Sequence, residues 1–236
     1  MNDWKLKSDS QSKLVWLGTE GALLEEHDYL FRTKKGEEPF IEIQISLHEL
    51  NDFCVTLFNS IANTAVDESV RYDELIESTK DEDGYYDSDR YDDLFALSML
   101  SYKCEDFGKI FTPASAVLLL YATLIRSLHS IARYYGSVKY KQWQSAKDPR
   151  GAEIPPIREL LESICNRKID VFDHPQVKAL ITERARFLRN KFIHGEWHAV
   201  EKGLVGVNIR MCFELVSYIF SELELLFDEP KGIKLA

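Results

Sequence analysis

At 236 residues the chain has room for one large domain or two small ones, and an apolar share of 45% is enough for a sizeable core. A net charge of −10 argues against general affinity for nucleic acid. No apolar run approaches the roughly 20 residues that span a bilayer, and Met1 to Lys5 lack the basic-then-apolar order of a signal peptide, so the expectation is a cytoplasmic protein with no membrane segment.

Along residues 1–40, Leu14-Val15-Trp16-Leu17 is a short apolar run and Tyr29-Leu30-Phe31 precedes a turn-like Lys34-Lys35-Gly36-Glu37. Phe40 to Ile45 alternates with period two, as a strand does. A small hairpin over residues 1–43 is therefore expected as a minor N-terminal appendage to a helical domain over 44–236. From Ser46, a capping residue with Glu49 three positions on, the period becomes helical through Leu47, Leu50, Phe53, Cys54, Leu57, Phe58 and Ile61, to about Ala65.

The charge is unevenly placed. Asp67 to Asp93 carries twelve acids against three bases, whereas His174 to Arg210 carries seven bases against three acids. Within the acidic stretch, Tyr72, Leu75 and Ile76 support a short helix. Asp81 to Asp89 has no aliphatic residue and does not match EF-hand spacing, so it reads as a solvated loop.

Leu94, Leu97 and Leu100 mark a helix to about Lys109. Thr112-Pro113 opens a stronger one, apolar over five turns from Val117 to Ala132 and expected at the centre of the fold. It carries Arg126, His129 and Arg133 on one face. Either these line a groove for RNA, or the arginines are solvated and His129 is a hydrogen-bonded, half-buried side chain. Tyr134 to Pro156 is rich in Gly and Pro and reads as a connector. Its Tyr140 and Trp143 lie among lysines, and either stack on bases or fold back on the body. Pro156 to Arg167 is a short helix. His174 to Phe192 is the next, with Pro175 in its first turn, and a loop with Gly203 and Gly206 leads to a last helix over about Val207 to Phe227. The fold class is thus all-α, a bundle of four to six helices. Cys54, Cys104, Cys165 and Cys212 are far apart with no CxxC pair, as buried free thiols would be.

The chemistry-bearing stretch is Arg189-Asn190-Lys191-Phe192-Ile193-His194-Gly195. Gly195 stops the helix by taking the left-handed position past its end. Arg189 and His194 are five positions apart, about 140° around an ideal helix, and both can reach a groove across the helix end. An arginine presents a planar fork of donors to a phosphate. A histidine can take or give a proton near neutral pH, and an asparagine can orient either partner. His194 and His198 are spaced like a helical metal pair, but Gly195 breaks the helix between them and no third ligand is evident, so neither a metal nor another cofactor is expected.

Arg189-Asn190, three residues, then His194 resembles the motif of the HEPN superfamily (higher eukaryote and prokaryote nucleotide-binding domains): an Arg, a polar residue, a few residues and a His near the end of a helix in an all-α bundle. The resemblance rests on this short motif and its helix-end setting. It implies a metal-independent endoribonuclease of a toxin–antitoxin or anti-phage defence system, acting as a homodimer. In that scheme Arg189 holds the scissile phosphate, His194 is general base or acid, Asn190 orients them, and Lys191, Arg126 and His129 contact RNA. An antitoxin or other regulatory protein is an implied partner. Two other readings stay open: a non-catalytic RNA- or nucleotide-binding module, and a helical protein-interaction module.

Overall fold

The structure is a computed structural model that describes residues 5–8, 14–17, 28–78, 107–146 and 153–228. It is an all-α bundle whose described residues form seven α-helices. They are α1 (Phe40–Ser78), α2 (Thr112–Tyr135), α3 (Ser137–Ala146), α4 (Ile154–Cys165), α5 (Ala185–Ile193), α6 (Trp197–Leu204) and α7 (Ile209–Asp228). Two short strands, β1 (Lys5–Ser8) and β2 (Leu14–Leu17), pair antiparallel with Lys5 opposite Leu17. A π-helical turn, Phe107–Phe111, runs directly into α2. Another, Val177–Arg184, runs directly into α5.

α2 is the central element and touches each of the other six helices. Its sequence dictates this: Val117, Leu120, Leu124, Leu128 and Ile131 form one side, Ala116 and Ile125 flank it, and all are buried. The helix is 24 residues long and, over a stretch of 18, apolar enough to meet the composition of a membrane span; 56% of that stretch is buried inside the bundle, as in a core helix. Around it close Ile157, Leu161, Leu188, Phe213, Val216 and Phe220 in one contiguous core.

Several expectations are corrected. Phe40 to Ile45 is not a strand but the first turns of α1. Phe40, Ile43 and Leu47, three and four apart, are buried, while Ile41 and Ile45 are 38% and 51% exposed. The i, i+3, i+7 stripe outcompetes the alternation because α2 and α7 provide a surface for it to bury against. The expected boundary at residue 43 falls inside this helix. Residues 28–39 also join the bundle: Leu30 and Phe31 are in the core, the Phe31 N–H donates to Ser217 Oγ at 2.9 Å, and the Thr33 hydroxyl and Lys34 N–H donate to the buried Glu224 carboxylate. α1 continues past Ala65 to Ser78, absorbing the short helix expected around Leu75. The solvated loop at 81–89, the helix from Leu94 to its expected end near Lys109 and Cys104 lie outside the described residues, apart from the turn at Phe107–Phe111.

The connector expected over Tyr134 to Pro156 contains α3, and the loop expected after Gly195 contains α6. Both were hidden by glycines that serve close packing. A Cβ on Gly136, between α2 and α3, would lie 2.5 Å from two Ile164 side-chain carbons of α4. Gly136→Ala is expected to lower stability by about 1–3 kcal/mol, the usual cost of an overpacked contact, read as a reduced denaturation midpoint at unchanged slope.

The thiol expectation holds for Cys54 and Cys212, both buried and free. Burial pushes each thiol up to about 12, so neither forms thiolate near neutral pH. In the native protein Cys54 and Cys212 should resist alkylation at pH 8, and both should react promptly in denaturant, which peptide mass mapping would reveal.

Candidate functional site

The motif closes a helix that ends in a capping geometry requiring glycine. Gly195 has φ +68°, its N–H donates to the Phe192 carbonyl at 3.0 Å, and the Glu196 N–H donates to the Lys191 carbonyl at 3.0 Å. These two bonds are the Schellman pattern, which satisfies the last carbonyls of the helix and fixes the chain's exit direction. His194 is the capping residue itself, at φ −86° and ψ 1°. The backbone thus holds His194 at the rim, beyond the last helical residue.

Asn190 and His194 are exposed and Arg189 is half-buried. None of the three side chains makes a hydrogen bond or ion pair with the described residues. Arg189 instead faces the buried Tyr121 of α2. Burial and then Glu153 raise the Tyr121 hydroxyl above its ordinary range, while Arg189 and Arg186 pull it down. Arg186 is engaged by Glu153 at 3.0 Å, leaving Arg189 as the guanidinium of this turn with no carboxylate partner. Lys191 is held: its ammonium pairs with Glu196 at 2.6 Å and lies 6.0 Å from the centre of the Phe187 ring. Contact with RNA through Lys191 would require it to leave Glu196.

Around the motif lies an apolar rim that sequence reasoning did not identify. Ile193 is 65% exposed, Trp197 42% and Phe187 41%. Trp197 is propped by rings beneath it, with centroids 4.8 Å from Phe111 and 5.3 Å from Phe192. α6 is pinned to the motif helix by Arg184, whose guanidinium donates to the Gly203 carbonyl at 2.8 Å. The available signal was Trp197, an aromatic two residues past a helix-stopping glycine.

Arg126 and His129 do not share the motif's groove. They line a separate cleft of about 630 Å³ between α1 and α2, together with Arg133 and Tyr140. The motif end packs at Phe111, the start of α2. From Tyr121, on which Arg189 acts, Arg126 and His129 are about 140° and 80° around that helix, so they face a different side of it. His129 is half-buried, with Nδ1 3.3 Å from the Tyr140 hydroxyl and its ring against Trp143. Tyr140 and Trp143 stack on each other and against the body, so these aromatics fold back.

His198 lies 3.6 Å from Glu201, and among the described residues no three His, Cys, Asp or Glu side chains converge as a metal site. In comparison with known proteins, no family model, no curated protein and no solved structure matches the chain.

Proposed function

We propose that this chain is a metal-independent endoribonuclease of the HEPN type, working as a homodimer in a defence or toxin–antitoxin setting. The observation that carries the reading is the helix end itself: Arg189, Asn190 and His194 gathered there, none with a hydrogen bond or ion pair to the described residues. In a folded protein, polar groups at a half-buried position are normally paired. A guanidinium left without a carboxylate, on the same helix end as an exposed imidazole, is poised for an anion from outside.

The chemistry follows from those groups. Arg189 holds the non-bridging oxygens of the scissile phosphate and stabilises the charge added in the phosphorane. One His194 takes the proton of the ribose 2′-hydroxyl as its oxygen attacks phosphorus. The leaving 5′-oxygen receives a proton as the P–O bond breaks, and that needs a second acid. A single protomer supplies one histidine, so a two-fold that brings a second motif across the cleft completes the set. The apolar rim of Phe187, Ile193 and Trp197 is the surface such a two-fold would cover. The products are a 2′,3′-cyclic phosphate and a 5′-hydroxyl.

The test is cleavage of a mixed RNA substrate by the full chain, with end-group analysis. Activity is expected to persist in excess EDTA, because every group in the scheme is an organic side chain. Loss of cleavage in EDTA with recovery on adding a divalent ion would replace this reading with a metal-dependent nuclease. Absence of cleavage alongside retained RNA binding would favour the non-catalytic module.

A further inference from the structure

We propose that the cleft between α1 and α2 is a second anion site, separate from the motif, that takes a small molecule bearing a di- or triphosphate group. Its volume of about 630 Å³ falls in the range of small-molecule sites. Two guanidiniums line it, Arg126 and Arg133, seven residues apart on α2. That spacing returns within about 20° to the same helix face and separates the two by roughly 10.5 Å along the axis. Both side chains are exposed, and neither makes an ion pair or hydrogen bond with the described residues. Between them the Ser130 hydroxyl adds a neutral donor, and Tyr140 from α3 closes one end. Among the described residues of the lining, Glu42 is the one carboxylate against two guanidiniums, a positive balance. Arginine forks match phosphate oxygens in geometry as well as charge, which selects a phosphorylated ligand over a generic anion. A chain of two or three phosphates presents charge to both arginines at once, whereas a single phosphate meets one.

The cleft suits a small ligand better than an RNA strand. Tracks for single strands offer exposed aromatic faces to successive bases. Here Tyr140 and Trp143 are half-buried, stacked on each other and set against His129. The arginines also point away from the motif: they lie about 140° and 120° around α2 from Tyr121, the residue on which Arg189 acts.

The experiment titrates the full chain with inorganic tripolyphosphate, followed by calorimetry and by tryptophan fluorescence, to which Trp143 beside the cleft contributes. In the Arg189→Ala chain, where the motif's own phosphate contact is removed, saturable binding of one tripolyphosphate per chain is expected. Arg126→Ala and Arg133→Ala should each weaken it roughly 10- to 100-fold, the worth of one charge-assisted contact. Restoring Arg189 should leave the affinity of this cleft site unchanged within about two-fold. Both cleft arginines are exposed, so the variants should keep the wild-type circular dichroism spectrum. No saturable binding up to millimolar tripolyphosphate would overturn the proposal, as would unchanged affinity in the folded double variant or an equal loss in Arg189→Ala. A single-stranded RNA oligonucleotide is the competing probe. If it displaces tripolyphosphate, and both cleft variants weaken RNA and tripolyphosphate alike, the cleft is part of an RNA track and the small-molecule site is refuted. Because the readout is binding, it is independent of whether the motif cleaves.

Discussion

His194→Ala is expected to lower RNA cleavage by roughly 100- to 10,000-fold, the range for losing a positioned acid or base. Arg189→Ala should lower it on the order of 100- to 1000-fold, as loss of a donor to a developing oxyanion does. Neither change should disturb the fold. His194 lies past the last helical residue with an ordinary negative φ, and Arg189 makes no hydrogen bond or ion pair within the described protein. The two variants should differ in character. Arg189→Ala removes a group that also meets the ground-state phosphate, so RNA affinity and rate should fall together. His194→Ala should leave RNA affinity near wild type while the rate collapses. Single-turnover cleavage alongside filter binding separates the two. Cleavage by His194→Ala at wild-type rate would remove the basis of the proposed activity.

What could be read from the chain, and what could not, follows from which physical signal each feature carries. α2 and α7 were legible because their apolar residues recur over five turns, too long a run for strand and helix periods to be confused. The end of the motif helix was legible because a glycine after a helical run is a local signal, and the left-handed Gly195 obeys it. Phe40 to Ile45 misled because six residues hold both periods. Ile41, Ile43 and Ile45 satisfy one, while Phe40, Ile43 and Leu47 satisfy the other, and only burial against distant helices decides. α6 was missed because Gly203, which reads as a loop residue, is where Leu188 of α5 presses in: a Cβ there would meet its Cδ2 at 2.7 Å. That is long-range packing, invisible to a local pattern. The same applies to the site. Arg189, Asn190 and His194 are close in sequence and share one helix end, so their grouping was legible. Whether Arg126 and His129 joined them depended on the direction in which α2 crosses the motif helix, and sequence periodicity carries no information on that.

The second large effect concerns how many chains make one active site. A solution dimer is expected, and mixing experiments with exchanging subunits show how its groups are shared. If each protomer holds a complete site, mixtures of Arg189→Ala and His194→Ala chains stay inactive, and wild-type activity tracks its own concentration whatever mutant is added. If one cleft draws an arginine from one chain and a histidine from the other, some heterodimers of the two variants regain partial activity. If one cleft uses all four groups, excess mutant poisons the wild type: at a nine-fold excess of mutant, random exchange leaves about one wild-type chain in ten paired with its own kind. The four-group outcome is the expected one, because proton removal at the 2′-oxygen and proton delivery at the 5′-oxygen need two groups in opposite protonation states. The apolar rim supplies a built-in control. Ile193→Asp and Ile193→Glu place charge on a side chain that is 65% exposed in the protomer, so the fold should stay as before. Charge buried without a partner at an interface is strongly unfavourable, so these variants should be monomeric by light scattering and inactive with their motifs intact. An active monomer would show that a single Arg189/His194 set suffices, and the shared cleft would have to be abandoned.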